Sequence, residues 1–478
     1  MGLDVCQKCG TQALGEATFC HKCGARLAFP ENVPTQQKRS AGARLPLNLI
    51  GWAVVAAIGV LALLIATNVV TIGSGPALAS YVWKPISQPM GFQTTEDLPK
   101  GRRIGGFAQA IREDARIWEH QAVWTGKEMF VWGEGGAGLY NPTTDTWRKV
   151  SLQGAPTGRR YSVLVWTGQE VIVLSEGSEG RPSGARYNPT TDSWKPIATP
   201  SMVTSIIDAT AVWTGKEMFV LGYGGGLYNP STNSWRSLPI EGDPETGGHR
   251  VSVVWTGKEV VVWGGVLWAD LSIQNVGARY NPDTDKWAPI SSVGAPTPRI
   301  DPMVVWTGHE MLVLGGLLQP VPNPLNHTGD PLMTEAYYAN EGARYDPSTD
   351  TWSPIPPTTL LPKFGYLLED RAVWTGQEVI VWGTIWPTRV NACASCSSYQ
   401  LGHVLQLVQA RFNPQTGIWS PLPSEGAPRI PALVPANHAV VWDGREMLVF
   451  GAIHVGSGPD NETYTYKGAR FAPPDGTN

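Results

Sequence analysis

Ala122-Val-Trp-Thr-Gly-Lys-Glu-Met-Phe-Val-Trp-Gly133, followed closely by Leu139-Tyr-Asn-Pro-Thr-Thr-Asp-Thr-Trp147, is a unit that recurs in altered form along the chain. Its first landmark is a Trp ahead of a Gly turn, at Trp124, Trp166, Trp213, Trp255, Trp306, Trp374 and Trp442. Its second is an aromatic-x-Pro, at Tyr140, Tyr187, Tyr228, Tyr280, Tyr345, Phe412 and Phe471. Six copies close on a further Trp, at Trp147, Trp194, Trp235, Trp287, Trp352 and Trp419, and the seventh does not. Trp83-Lys-Pro-Ile86 reads like Trp194-Lys-Pro-Ile197 and Trp352-Ser-Pro-Ile355, yet has no first half before it. A strand displaced to the N-terminus and completing the last copy is what a closed ring needs to join its ends.

Each copy reads as four short antiparallel strands. Val251-Ser-Val-Val-Trp255 is apolar and β-branched, and Thr256-Gly257 supplies the positive-φ residue of a tight hairpin. Glu259-Val-Val-Val-Trp-Gly-Gly265 is the second strand, and Gly277 to Asn281 is the third. In the following Pro-Asp-Thr-Asp turn, Pro pre-sets its φ and Asp bonds its own backbone; the fourth strand begins at Trp287. Successive first landmarks lie 42 to 68 residues apart. That interval agrees with a kelch-type period of roughly 50 residues. One such sheet cannot bury both faces alone, whereas a ring of them buries faces against each other and leaves only short edges. The expectation is an all-β fold, a seven-bladed propeller over residues 81–475, with blade seven completed by residues 81–87.

The combination of hairpin Gly, Gly-Gly after the second strand, Tyr-x-Pro and closing Trp resembles the kelch and galactose-oxidase-like propellers over residues 81–473. Gly-Gly stands at 264–265 and 315–316, is blurred at Gly133, and is lost at Leu174-Ser175, Gly383-Thr384 and Gly451-Ala452. The resemblance implies unequal blades. It also brings two enzymes into view, because the wider family includes a copper-radical oxidase and a sialic-acid mutarotase.

The composition is that of a β-rich mass, with 54 Gly, 40 Pro and 21 Trp but only 16% charged residues. A net charge of −4 argues against a nucleic-acid partner. Residues 1–45 hold six Lys and Arg against three Asp and Glu, so the head is basic and the propeller mildly acidic.

Residues 46–72, Pro46 to Ile72, carry no charge and are long enough to cross a bilayer as a helix, which takes about 20 apolar residues. Lys38, Arg39 and Arg44 precede this segment, and Lys84 is the first charge after it. The positive-inside bias therefore puts the N-terminus in the cytoplasm and the propeller outside a single-pass membrane anchor. Residues 29–45 and 73–80 read as linkers. Ala77-Leu-Ala79 resembles a small-residue cleavage site, so a released propeller is the lesser alternative.

Within residues 1–28, Cys6-Gln-Lys-Cys9-Gly10 and Cys20-His-Lys-Cys23-Gly24 are paired knuckles. Four thiolates so spaced surround one tetrahedral Zn2+, and with Cys6, Cys9, Cys20 and Cys23 leaving no open position the zinc is structural. The pattern resembles the zinc-ribbon heads of many prokaryotic membrane proteins. Cys393 and Cys396, far along the chain, read as a local disulfide outside the cell.

Alternation of the strands puts all first-to-second and third-to-fourth turns, which are short, on one face. The opposite face receives the variable connections, longest at Gly316 to Gly342, Thr384 to Gln409 and Ala452 to Gly468. Loops on a rigid scaffold are where binding residues concentrate. Five residues before each first Trp stand Glu119, Tyr161, Asp208, Arg250, Asp301, Glu369 and Asn437, all polar. With the first strand innermost, they form a ring at the channel mouth on the long-loop side, and Arg160, His249, Arg299, Arg371 and His438 add donors nearby. Trp268 and Trp386 fall in variable loops and are placed either to stack on a sugar or to cover a loop base.

The ring reads either as a site for a polar ligand, a protein or a glycan, or as a solvated rim of internal ion pairs. Binding or scaffolding is favoured over catalysis, since fold alone does not give function. The alternative, a mutarotase- or epimerase-type enzyme acting on a sugar, needs only acid and base groups in the mouth, for which Glu119, Arg250 and Glu369 are available. Copper oxidation needs paired Tyr and His ligands with a cross-linking Cys, a set the sequence does not assemble.

Overall fold

In six of the seven copies the Thr-Gly-x-Glu hairpin is locked by its own threonine. The Thr125 hydroxyl donates to the Glu128 carbonyl at 2.8 Å and accepts from the Glu128 amide at 3.0 Å. The same pair recurs at Thr167, Thr214, Thr256, Thr307 and Thr375. In the seventh copy Asp443 replaces it, its Oδ1 accepting from the amides of Arg445 and Glu446 at 2.7 and 2.6 Å. Gly126 turns at φ 85° into open space.

The computed structural model describes residues 82–88, 120–133, 136–177, 180–242, 250–267, 272–318, 338–361, 366–386, 406–424, 427, 438–454 and 464–472. They form a seven-bladed β-propeller. Blade one consists of His120–Trp124, Met129–Gly133, Gly136–Asn141 and Thr146–Lys149 in antiparallel order, with Trp124 opposite Met129, Met129 opposite Tyr140, and Tyr140 opposite Trp147. Five further sheets are four-stranded. In blade three one continuous run, Met218–Asn229, takes the place of the second and third strands, pairing with the first through Met218–Tyr223 and with the last through Gly226–Asn229. First strands of successive blades are neighbours, and that of blade seven, His438–Trp442, neighbours that of blade one. The first strand is therefore innermost and the ring is closed.

Closure is made by Val82–Pro85, which pairs with the third strand of blade seven, Tyr464–Ala472, placing Trp83 opposite Phe471. Trp83 is buried, its ring 4.7 Å from that of Trp382 and 4.8 Å from that of Phe471. The displaced strand expected from the sequence is the outer strand of blade seven.

Blades adhere through apolar faces and two circuits of hydrogen bonds. Phe130, Trp132 and Leu139 of blade one pack on Val171, Val173, Tyr187 and Trp194 of blade two, and the other junctions repeat the pattern. Each such side chain, fully buried, contributes about 1.5–3 kcal/mol. Every closing Trp donates its indole N–H to a carbonyl that follows the preceding blade: Trp147 to Ser87, Trp194 to Ser151, Trp235 to Ala198, Trp287 to Pro239, Trp352 to Ser291, Trp419 to Pro356 and Trp83 to Pro423, at 2.6–3.0 Å.

The second circuit uses the hairpin Glu. Glu128, Glu170, Glu217, Glu259, Glu310, Glu378 and Glu446 pair with Arg148, Arg186, Arg236, Arg279, Arg344, Arg411 and Arg470 at 2.9–3.9 Å. In six of these pairs the guanidinium also reaches the carbonyl of the Pro in the next blade, as Arg186 does to Pro230 at 2.7 Å and Arg470, across the chain ends, to Pro142 at 2.8 Å. In blades one and three the third-strand position holds Leu139 or Leu227, and the arginine comes from the fourth strand instead.

Two boundaries differ from the sequence reading. In blades six and seven the second and third strands run on as taller hairpins, paired up to Ile385 opposite Gln406 and His454 opposite Tyr464. Much of what reads as loop there is ladder, because continued β-branched and aromatic alternation sustains pairing where Gly-Gly ends it in blades four and five. Trp386 accordingly ends a strand, opposite Tyr366, and does not lie in a loop.

Candidate functional site

In blades two to five the ring position five residues before the first Trp is where the inner strand breaks. Tyr161, Asp208, Arg250 and Asp301 all take left-handed φ, at 46°, 57°, 52° and 50°. Pairing skips at Tyr161 in blade two and between Ser205 and Thr210 in blade three. In blade four the ladder starts only at Ser252. In blade five, Asp301 separates Arg299–Ile300, which pairs with Leu317–Leu318, from the inner strand Met303–Trp306. Among the described residues the other non-Gly residues with positive φ are Asp145, Asp192, Asn233, Asp285 and Asp350, all in the short outer turns, where Asp and Asn are at home. An Arg or a Tyr in that conformation is a strain of order 1–3 kcal/mol, held by its surroundings.

Three of these residues, from three successive blades, are joined. Arg250 pairs through Nη1 with Asp301 Oδ2, and its Nε lies 3.5 Å from Asp208 Oδ2. The Arg250 amide donates to the Asp208 carbonyl at 3.3 Å. The Arg250 and Asp208 side chains are 27% and 22% exposed while that of Asp301 is 55% exposed, so the bridge is anchored on one side and open on the other. The Asp301 charge, set against burial and aided by Asp208, raises the guanidinium's pKa further above its ordinary value, so Arg250 acts as a fixed cation.

Tyr161 is partly buried against the apolar junction of blades two and three, which includes Val203 and Ile206. Glu369 and His438 lie on inner strands opposite Thr384 and Gly451. Their side chains, together with residues Glu119, His249 and Asn437, lie outside the description. Arg371 is half-buried on the inner strand of blade six, opposite Trp382.

Arg299 corrects the sequence reading. It is fully buried, and its guanidinium donates to the carbonyls of Thr297 at 2.9 Å, Gly315 at 2.9 Å and Glu341 at 3.3 Å and to the Thr297 hydroxyl at 2.8 Å. Burial lowers its pKa despite the Glu341 carboxylate 3.5 Å away. It staples both ends of the blade-five connection and offers nothing to the mouth.

Two features escape motif reading. Glu176, where Gly-Gly is lost, accepts from the Ile206 amide at 2.9 Å and the Ser205 hydroxyl at 3.2 Å, fixing the start of the next inner strand. The buried Trp132 indole donates to Ser162 and Ser175 at 3.1 and 3.3 Å, with the Arg159 guanidinium 5.5 Å from its ring centroid. A serine on each facing strand was the only signal.

Cys6, Cys9, Cys20, Cys23, Cys393, Cys396 and residues 46–72 lie outside the described residues. Among the described residues no group of three or more His, Cys, Asp or Glu is placed to hold a metal ion, and no helix is long and apolar enough to cross a membrane. No protein-family model matches this chain and no curated protein matches it, so what stands shown is the seven-bladed propeller itself.

Proposed function

We propose that the chain is a kelch-type propeller held at a membrane by residues 46–72, with a zinc ribbon at residues 1–28 on the cytoplasmic side, and that it binds an envelope protein or glycan through its long-loop face. The observation that carries the choice of face is the run of left-handed Tyr161, Asp208, Arg250 and Asp301 around an inter-blade Asp–Arg–Asp bridge. Tyr161 and Arg250 have no local liking for that backbone, unlike Asp208 and Asp301, and strain of this kind collects at binding sites. The anchor and the ribbon rest on the sequence alone, on the uncharged run and the paired Cys-x-x-Cys-Gly knuckles.

The test uses full-length protein in detergent, probed with arrayed glycans and purified envelope proteins. Arg250→Ala is expected to weaken the retained ligand by tenfold or more, about 1.4 kcal/mol or above, while the melting temperature stays within a few degrees. A ligand whose affinity ignores Arg250→Ala and Asp301→Asn removes the site from this face. The same preparation is expected to contain one equivalent of zinc, lost on Cys6→Ser/Cys9→Ser; a metal-free head with intact fold removes the ribbon.

A further inference from the structure

The short-turn face carries a second ring, formed by the seven hairpin tips at the ends of the innermost strands. After each hairpin Gly comes one exposed side chain: Lys127, Gln169, Lys216, Lys258, His309, Gln377 and Arg445. None is acidic and four are cations. Lys127, Lys216, Lys258 and Arg445 make no ion pair among the described residues, unlike the Glu beside each of them. Those glutamates are neutralised by the arginines of the inter-blade circuit, at 2.9 Å for Glu128 and Arg148, 2.9 Å for Glu217 and Arg236, 3.6 Å for Glu259 and Arg279, and 3.6 Å for Glu446 and Arg470. Asp443, the one further carboxylate in these hairpins, is held by the amides of Arg445 and Glu446 and offsets one of the four cations. The uncompensated charge around this mouth is therefore positive, although the whole protein carries −4.

Farther from the axis on the same face the sign reverses. The third-to-fourth turns present Asp145, Asp192, Asp283, Asp285, Asp346 and Asp350, of which Asp285 is paired with Arg236 at 2.6 Å. A basic centre inside an acidic rim discriminates by shape. A flat anionic bilayer laid across the face meets the carboxylates, whereas a compact anion on the axis meets the cations and avoids them. A single charge gains little from a solvated Lys at such distances, so the fitting ligand spans several tips at once.

We propose that the short-turn mouth is a binding site for a compact polyanion bearing several phosphate groups, distinct from the long-loop site and independent of it. The hairpins suit this role because the Thr or Asp lock fixes the backbone of each cationic tip, so that only the side chains remain to be ordered on binding.

The experiment titrates full-length protein in detergent by calorimetry with tripolyphosphate, inositol hexakisphosphate and sulfate. The quadruple variant Lys127→Gln/Lys216→Gln/Lys258→Gln/Arg445→Gln is set against Lys84→Gln/Lys149→Gln/Lys195→Gln/Lys286→Gln, which removes equal charge from exposed residues of the outer strands. One oligophosphate per protein is expected, weakened at least about tenfold by neutralising the tips and changed less than about twofold by the outer set. Vesicles bearing a polyphosphorylated headgroup that compete with the soluble probe also support the proposal, and place the phosphate on a lipid. Binding no tighter than sulfate, equal loss in both variants, or capture of phosphatidylserine vesicles without binding of soluble probe overturns it. Since every substituted side chain is exposed, matched melting temperatures separate these outcomes from misfolding.

Discussion

At the residue scale the repeat contains its own control experiment. Tyr140, Tyr187, Tyr228, Tyr280 and Tyr345 each donate a hydroxyl to the Asp or Asn five residues on, at 2.5–2.8 Å, and that acceptor has left-handed φ. Where blade six has Phe412 in place of Tyr, the fifth residue is Gly417, at φ 69°. The hydroxyl and the carboxylate thus leave together, and glycine keeps the turn. Asp350 also accepts from the Ser291 amide at 3.0 Å, tying its blade to the preceding one. Asp350→Ala loses both bonds and the tolerance of left-handed φ, an expected cost of roughly 2–4 kcal/mol. Asp350→Gly recovers about 1 kcal/mol of that by relieving the backbone. Burial alone would raise the Asp350 pKa, but the bonds from Tyr345 and Ser291 outweigh it and hold the carboxyl below its ordinary value. A depressed carboxylate contributes stability above its unfolded pKa and loses it as pH falls through the folded one. Thermal melts are expected to drop on acidification below about pH 4, and Asp350→Asn is expected to flatten part of that drop. An unchanged acid limb in Asp350→Asn would show that the carboxylate is not a contributor.

At the element scale, strands and hairpins were legible because their causes are local: Val-rich inner strands, Gly after Thr, and Pro before an Asp turn. The displaced outer strand was legible too, since Trp83-Lys-Pro-Ile86 repeats a pattern whose first half is missing. The arginine circuit was not, because its Glu–Arg pairs are 16 to 34 positions apart, and it moves between strands where Leu139 or Leu227 intrudes. Arg299 was misread for a related reason: proximity in sequence to the mouth does not say which way a side chain turns, and here it turns inward to three carbonyls. The left-handed ring was invisible because nothing in Tyr161 or Arg250 asks for that backbone. What unites the blades is also what the closing Trp does, and its two contributions separate experimentally. Trp287 donates to the Pro239 carbonyl at 3.0 Å and stacks at 5.0 Å on Tyr280. Trp287→Phe keeps the ring contact and loses the bond, for an expected loss near 1 kcal/mol, against about 3–5 kcal/mol for Trp287→Ala. Equal losses in chemical denaturation would mean that the indole N–H carries the whole effect.

At the scale of the whole molecule, six blades are each one continuous run of chain, and blade seven is different because its own outer strand comes from the other end of the chain. Trp83 makes the same indole bond as its six counterparts, to Pro423 at 2.9 Å. The residue after its strand, Ile86, donates to the Gly468 carbonyl at 3.2 Å, and Ser87 reaches blade one through Asp145 and Trp147 at 3.0 Å each. One short segment therefore touches blades six, seven and one. Loosening it opens the circle, whereas an outer strand loosened in any other blade stays tethered to its own third strand by a short turn. Loop closure is an entropic cost paid once for the entire ring, so its loss should expose one sector and not the average of seven. Trp83→Ala is accordingly expected to speed hydrogen exchange selectively in residues 438–454 and 464–472 and to split the calorimetric transition, with the blade-seven sector melting first. Trp287→Ala, removing a side chain of the same size from the blade-four junction, is expected to lower a single transition without splitting it. If both variants give one transition and the same exchange pattern, closure by the N-terminal strand does not control the cooperativity of the ring, and the seven junctions are equivalent regardless of where the chain begins.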